Sequence, residues 1–327
     1  MKDREGIWKK LRTTFYVVLA LTLFAAAGLS AYMESLLKEI DREPEVTLET
    51  VSAEQQTESS IALTTSEKDS KAEATNVLLV GQDRRAGQKK NGRSDAMILC
   101  TVNRRTKTVT LTSFMRDLYV KIPGENNNRI NAAYAIGGIK LLDQCLEENF
   151  GVQVDGNVVV DFQAFMKAVD LVGGVDVELT GKEAAYMNTA TYRDQARWES
   201  NLLEGVNHLN GNSALAYARI RKISGNDFGR TMRQRKVLAA LLEKVSKLTL
   251  PEIHRLLKTL LGEVSTDMTN SQILGYAMEF LTEIKNYQIK TQQIPEEGTY
   301  RNATIDGMQV LVPDLEKNRE ILSKITA

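Results

Sequence analysis

The longest apolar run comes first in the chain. Residues 14–33, "TFYVVLALTLFAAAGLSAYM", hold twenty positions without a formal charge, about the length that crosses a bilayer core of roughly 30 Å as a helix. The pattern then inverts: residues 34–75 carry eleven Asp/Glu against four Lys/Arg, with one proline and no glycine. Such a segment buries little and predicts a solvated stalk. From Asn76 onward the pattern is that of a folded domain. "NVLLV" (76–80) is a short apolar run closed by Gly81, as a buried strand would be, and "AMILCTV" (96–102) and "TVTLTSF" (108–114) flank the polar turn "NRRTK" and predict a hairpin. A helix is expected behind Asn131 as N-cap, in "NAAYAIGGIKLLDQCLEENFG". "VVVDFQAFMKAVDLVGG" then reads as strand into helix, and "VDVEL" as a strand. A long helix is expected from Arg230 to about Leu248, with others at 250–263 and 270–286. "YQIKTQQIP" and "MQVLVP" read as late strands before a final helix. Alternation of strands and helices predicts an α/β fold: a three-layer α/β/α domain with a mixed central sheet, preceded by one N-terminal transmembrane helix.

Charge refines the first segment. Lys2, Arg4, Lys9, Lys10 and Arg12 precede the apolar run against Asp3 and Glu5, so the positive-inside rule puts the N-terminus in the cytoplasm and the chain beyond Met33 outside. A cleaved signal peptide is the alternative. The run is longer than a usual signal core and continues into the helical "YMESLLKEI", which favours an uncleaved anchor. The expected organisation is a cytoplasmic tail at 1–13, an anchor at 14–33, an extracytoplasmic stalk at 34–75 and a folded domain at 76–327, in a single-pass cell-membrane protein.

Over all 327 residues, 42 basic and 42 acidic side chains balance, so any anion binding must be local. Two cysteines, Cys100 and Cys145, have no C-x-x-C spacing, which excludes a thiolate zinc site and a disulfide framework and favours two buried thiols. The two histidines, His208 and His254, do not make a metal pair.

Charged motifs collect where strands begin and end. "GQDRR" (81–85) follows the first strand, "RSD" (93–95) precedes the second, and "MRD" (115–117) follows the third. A hairpin puts Arg93 and Asp95 at the same sheet edge as Arg116 and Asp117. Asp83 and Arg84 join them if the first and third strands run parallel. Alternation in "YARIR" would put Arg219 and Arg221 on one side of an extended segment.

Residues 217–236 hold seven Lys/Arg and one acidic residue. On a step of about 100° per residue, Val237, Leu241 and Val245 define the inward face of the helix, with Arg230 and Gln234 in its middle. Arg233 falls at the flank, and Arg235 and Lys236 point away. A core-facing arginine needs a partner. A buried ion pair is one answer; with several arginines and few acids nearby, an external phosphate is the better one. The carboxylates Asp83 and Asp95 beside such a site suit Mg²⁺, a hard cation bound through one or two carboxylates and phosphate oxygens. The basic stretch lacks the interleaved aromatics of a nucleic-acid stacking platform and lies on the outer side of the membrane, so no nucleic acid is expected.

Taken in order, "NVLLVGQDRR", "GRSDAMIL", "SFMRDLYVKIPG", "RINAAYAIGG", "DLVGGVDVEL", "LNGNSALAYARIRK" and "NDFGRTMRQRKVL" resemble the LytR-CpsA-Psr family of bacterial cell-envelope proteins. The resemblance implies that 76–327 is a catalytic domain binding a polyprenyl pyrophosphate, its tail in an apolar tunnel and its head group at an arginine-rich mouth. The implied activity is phosphotransfer of a glycopolymer, of teichoic acid or capsular polysaccharide type, from an undecaprenyl-pyrophosphate carrier to peptidoglycan. It implies metal ligands Asp83 and Asp95, with Mg²⁺ or Mn²⁺ as cofactor, and pyrophosphate ligands Arg84, Arg93, Arg116, Arg219, Arg221, Arg230 and Gln234. The groups acting on the reacting phosphate would be Asp95, Arg116, Arg219 and Arg230. A polyprenyl-pyrophosphate hydrolase and a non-catalytic polyprenyl-phosphate-binding envelope protein are the alternatives.

Overall fold

The structure, a computed structural model, describes residues 41–42, 73–82, 94–189, 201–223, 226–260 and 263–326. The expected tail, anchor and most of the stalk lie outside these residues, as do Asp83, Arg84 and Arg93. Among the described residues no helix is long and apolar enough to cross a membrane.

A seven-stranded mixed sheet forms the centre, in the order β1 (Asp41–Arg42), β10 (Val264–Thr266), β7 (Gly156–Asp161), β2 (Ala74–Gln82), β3 (Ser94–Asn103), β4 (Thr108–Phe114), β11 (Gln288–Ile294). The expected hairpin is β3–β4, antiparallel with Ile98 opposite Ser113. β2 lies antiparallel on the far side of β3, so β2 and β4 run parallel with β3 between them rather than side by side. Their ends, Gln82 and Phe114, therefore reach the same edge of the sheet where β3 begins.

Helices cover both faces, because β2 and β3 are apolar on both and β4 is buried along its whole length. On one face, Leu78, Met97, Leu99 and Phe114 pack on helices α1 (Asn131–Phe150) and α8 (Leu315–Thr326) through Leu142, Leu146, Phe150 and Leu322. Asn131 is the first residue of α1; its N-cap is Ile130, which offers no side-chain hydrogen bond. On the other face, turned over by strand alternation, Leu79, Ile98 and Val160 meet α2 (Phe162–Leu171), α4 (Gly211–Ala218) and α5 (Asn226–Val245). A Cβ on Gly211 would lie 2.3 Å from the Met166 carbonyl oxygen, so only glycine lets α4 come this close to α2.

"VDVEL" is a strand, β8 (Val175–Leu179), but it pairs with β9 (Gly205–Leu209) in a separate hairpin. With α3 (Gly181–Met187), α4 and α5 that hairpin encloses a second core of Val177, Leu179, Met187, Leu209, Tyr217 and Val237. "MQVLVP", β13 (Met308–Pro313), likewise pairs outside the sheet, with β12 (Tyr300–Ile305). Short strands β5 (Tyr119–Val120) and β6 (Asn128–Arg129) and helices α6 (Leu250–Leu260) and α7 (Asn270–Glu283) complete the chain. Cys100 and Cys145 are free, as expected, and burial pushes both thiols up to about 12.

One buried polar contact ties α1 to the sheet. Asn157 Nδ2 donates to Asp143 at 2.7 Å and to Asp267 at 2.8 Å, while Asp143 Oδ1 makes no hydrogen bond among the described residues. Burial, and then the Asp267 charge, push the Asp143 carboxyl up to about 7, against the Asn157 hydrogen bond, which lowers it. A carboxyl raised above its ordinary 3.8 favours the folded state while protonated; that stability is lost as pH rises from about 4 through 7. Asp143→Asn keeps the acceptor and removes the charge. It should raise stability by about 2–4 kcal/mol at pH 8 and change little at pH 4, checked by urea unfolding at both pH values. An equal change at the two would rule out the titration.

Candidate functional site

At the edge where β2 and β7 end and β3 begins, a cavity of about 300 Å³ opens between the sheet and helices α2, α4 and α5. Leu79, Ile98, Val160, Phe165, Leu238 and Leu241 give it apolar walls. Asp161, Arg219 and Gln234 are its polar lining. Ala96 and Gly81, opposed in register, form a small-residue wall: a Cβ on Gly81 would come within 3.2 Å of Ala96 Cβ. The expected apolar tunnel with a polar mouth is matched in kind, built from leucines and valines that no sequence pattern distinguishes from ordinary core.

Each polar group is placed by a local device. Asp161 caps α2, accepting from the Ala164 amide at 2.8 Å. Arg219 is the C-cap of α4, and its guanidinium lies 4.7 Å above the Phe162 ring, a stacking contact that holds an exposed cation at the mouth. The segment "YARIR" is thus helix end and turn, not an extended strand. Arg219 and Arg221 are both exposed, with buried Ile220 between them. Gln234 is carried by α5, and its Oε1 is buried without a hydrogen-bond partner among the described residues.

Beside this opening, three arginines share two aspartates. Arg116 lies 3.5 Å from Asp117 and 3.4 Å from Asp227; Asp227 also pairs with Arg230 at 3.0 Å, and Asp117 with Arg129 at 3.1 Å. The expected meeting of Arg116 with Arg230 is therefore observed, and Asp227 is what joins them. Asp227 and Arg129 escaped the sequence reasoning. The signal for Asp227 was its position as the one acidic residue of the basic run at 217–236. Positive charge exceeds negative in this group, so it can still attract an anion.

Two assignments on α5 need correction. Arg233, expected at the flank, and Arg235, expected to point away, are 2% and 7% exposed. The amphipathic pattern assumes one buried face, whereas α5 is covered by the sheet on one side and by β8 and α4 on another. Arg233 pairs with Glu183 at 2.7 Å and belongs to the second core. His208, exposed, meets Asp176 at 2.7 Å.

Of the two expected metal ligands, only Asp95 can be followed, and by backbone alone. Gly81 faces Ala96 and Gln82 faces Ser94, so Asp95 is the extra residue of a β-bulge, the device that re-aims a side chain at the end of a strand pair. This puts Asp95 at the mouth; its side chain, like the whole of Asp83, lies outside the description. Among the described residues no group of three or more His, Cys, Asp or Glu could hold a metal.

The LytR_cpsA_psr family model matches residues 42–326. Biofilm regulatory protein A of Streptococcus mutans is 31% identical over 248 residues, 71% of this chain; the match spans 58% of that protein's length. The polyisoprenyl-teichoic acid–peptidoglycan teichoic acid transferase TagU of Bacillus mycoides is 32% identical over 264 residues, 80% of each chain. A structure of the LytR-CPS2A-psr family protein YwtF (TagT) with bound octaprenyl pyrophosphate lipid superposes with a TM-score of 0.59 at 26% identity, covering 78% of this chain and 91% of that one. With the mixed sheet, the ordered motifs and the match over nearly the whole described domain in agreement, this chain belongs to the LytR_cpsA_psr family.

Proposed function

We propose that this protein is a phosphotransferase that moves a glycopolymer from a polyprenyl-pyrophosphate carrier to a hydroxyl of peptidoglycan. The observation that carries this is the cavity, apolar along its walls and opening beside Arg219, Gln234 and the Arg116–Asp227–Arg230 group. A prenyl chain gains about 25 cal/mol per Å² of apolar surface it buries there, and its diphosphate then meets guanidiniums suited to forked contact with phosphate oxygens. TagT with its octaprenyl pyrophosphate and TagU by its activity support the same assignment.

The acceptor oxygen bonds to the phosphorus that bears the glycan. The bridging P–O bond breaks, prenyl monophosphate leaves with the electron pair, and the hydroxyl proton passes to a base or to solvent. Such transfer depends on positioning and charge neutralisation. Arg219 and Arg230 supply fixed positive charge and Gln234 an amide at the mouth. Asp117 is held between Arg116 and Arg129, so it is not free to take that proton. A divalent cation held by Asp83 and Asp95 would, when bound, offset charge on the diphosphate. In this proposal residues 14–33 anchor the protein in the cell membrane with the N-terminus cytoplasmic and the catalytic domain outside.

The test incubates the full chain in detergent with a synthetic prenyl-pyrophosphate-linked sugar and peptidoglycan oligomers, with Mg²⁺ or with chelator. Mass spectrometry should find a sugar-phosphate adduct on the oligomer that chelation abolishes. Cleaved lipid without adduct would instead identify a hydrolase, and intact bound lipid a carrier. Ala168→Trp places an indole on the cavity wall. It should raise the KM for a long prenyl carrier at least tenfold while a one-isoprene carrier loses little, measured by the same adduct.

A further inference from the structure

Helix α5 carries a buried guanidinium that the cavity does not use. Arg235 is 7% exposed, is absent from the cavity wall, and finds no hydrogen-bond partner for Nε or Nη1 among the described residues. Its equally buried neighbour Arg233 is satisfied, by Glu183 at 2.7 Å and the Ile220 carbonyl at 3.2 Å. Burial alone pulls Arg235 down to about 10, still charged at neutral pH. A dry, charged guanidinium is costly to keep, and this cost points to a missing partner.

The surroundings indicate which kind. Thr231, one turn earlier on the same stripe, donates to Gln293 Oε1 on β11 at 3.1 Å. Long helical side chains lean toward the helix N-terminus, so Arg235 reaches back to that level. There Ser113 pairs in register with Gln293 on one side and Ile98 on the other. Ile98 faces the cavity, so Ser113 is turned to the same side of the sheet, beneath α5. The Ser113 hydroxyl is also buried and also without a hydrogen-bond partner among the described residues. Outside it, Thr291 of edge strand β11, on the same face as Gln293, is exposed.

We propose that the seam between α5 and strands β4 and β11 is a second anion subsite, which takes one phosphoryl oxyanion on Arg235 and the Ser113 hydroxyl. Gln234 and Leu238 on the cavity side of α5 separate it from the prenyl cavity. The oxyanion is free phosphate or the head group of a prenyl phosphate; both present the same oxygens to the guanidinium. The subsite does not depend on the transfer reaction proposed above.

Thermal unfolding of the full chain in detergent tests it, with inorganic phosphate in one arm and geranyl pyrophosphate in the other. Wild type should gain about 4 °C at a hundredfold excess of anion over Kd. Arg235→Met should unfold at or above the wild-type temperature without anion, and should lose the part of the gain that survives Arg230→Ala, the variant that weakens the cavity mouth. Ser113→Ala, the milder change, should weaken the anion about five- to tenfold. Loss with both anions identifies free phosphate as sufficient, and loss with geranyl pyrophosphate alone identifies the head group. Gains undiminished in both variants, or an Arg235→Met chain that fails to fold, would overturn the proposal, the latter by showing that the guanidinium serves the fold itself.

Discussion

Arg233→Ala is expected to destabilise the protein by about 3–5 kcal/mol at pH 7, enough to leave much of it unfolded at 37 °C. The side chains of Arg233 and Glu183 are 2% and 3% exposed and meet at 2.7 Å. Glu183 is also the third residue of a capping box. Its carboxylate accepts from the Thr180 amide at 3.0 Å, and its own amide donates to the Thr180 hydroxyl at 3.3 Å. The Tyr217 hydroxyl donates to the same carboxylate at 3.3 Å, and Arg233 Nη1 donates to the Ile220 carbonyl at 3.2 Å. One ion pair thus binds α3, α5 and the end of α4, the segment that presents Arg219 and Arg221.

The pH dependence of that loss is distinctive. Burial pushes the Glu183 carboxyl up, but the Thr180 amide and Arg233 outweigh it and hold it below the ordinary 4.5. A lowered carboxyl stabilises the fold above its unfolded value, and the gain is lost as pH falls through the folded one. Without Arg233 the carboxylate is buried and unpaired, so the deficit of Arg233→Ala should be largest at neutral pH and shrink toward pH 4. Arg233→Met with Glu183→Met, which removes both charges and keeps bulk, should recover much of the loss. Urea unfolding of the single and double variants at pH 7 and pH 5 measures this. A single variant that loses under 1 kcal/mol would mean the pair is incidental.

The same ion pair marks where the sequence stopped being informative. Strands were legible wherever an apolar run met a turn: β4 was located to the residue and β11 nearly so, while α8 was expected only as a final helix. Their partners were less legible, because pairing is not local. The strand β12 was missed although Asp306 and Gly307, both at positive φ, form the Asp-Gly turn that most strongly signals a hairpin. At 217–221 an alternating pattern suggested a strand, while Asn210, capping α4 through the Ser213 amide, fixed a helix instead. On α5 the arginines look alike in sequence. Whether each meets a carboxylate, a phosphate or nothing depends on Glu183, Asp227 and Ser113, two of which lie on other elements. The site itself was legible as an edge where charged motifs meet; the cavity was not, since its walls are chemically ordinary.

Arg230→Ala is expected to lower kcat for glycopolymer transfer about 10²–10³-fold and leave the fold intact. The side chain is 3% exposed and pairs with Asp227 at 3.0 Å, so its loss invites comparison with that of Arg233. The difference is what remains. Asp227 keeps Arg116 at 3.4 Å and is itself 27% exposed, so no carboxylate is stranded in the dry interior, and the cost to stability should stay near 1–2 kcal/mol. The catalytic cost should be greater because the proposed transfer would add charge to the leaving prenyl phosphate as its bond breaks. A guanidinium already fixed by Asp227 meets that charge without reorganising. The KM for the lipid should change little, since in the proposed function a prenyl tail in the cavity would supply most of the ground-state binding. Adduct formation timed against carrier concentration separates the two constants. A variant with raised KM and wild-type kcat would make Arg230 a docking group for the diphosphate, with no part in stabilising the transition state.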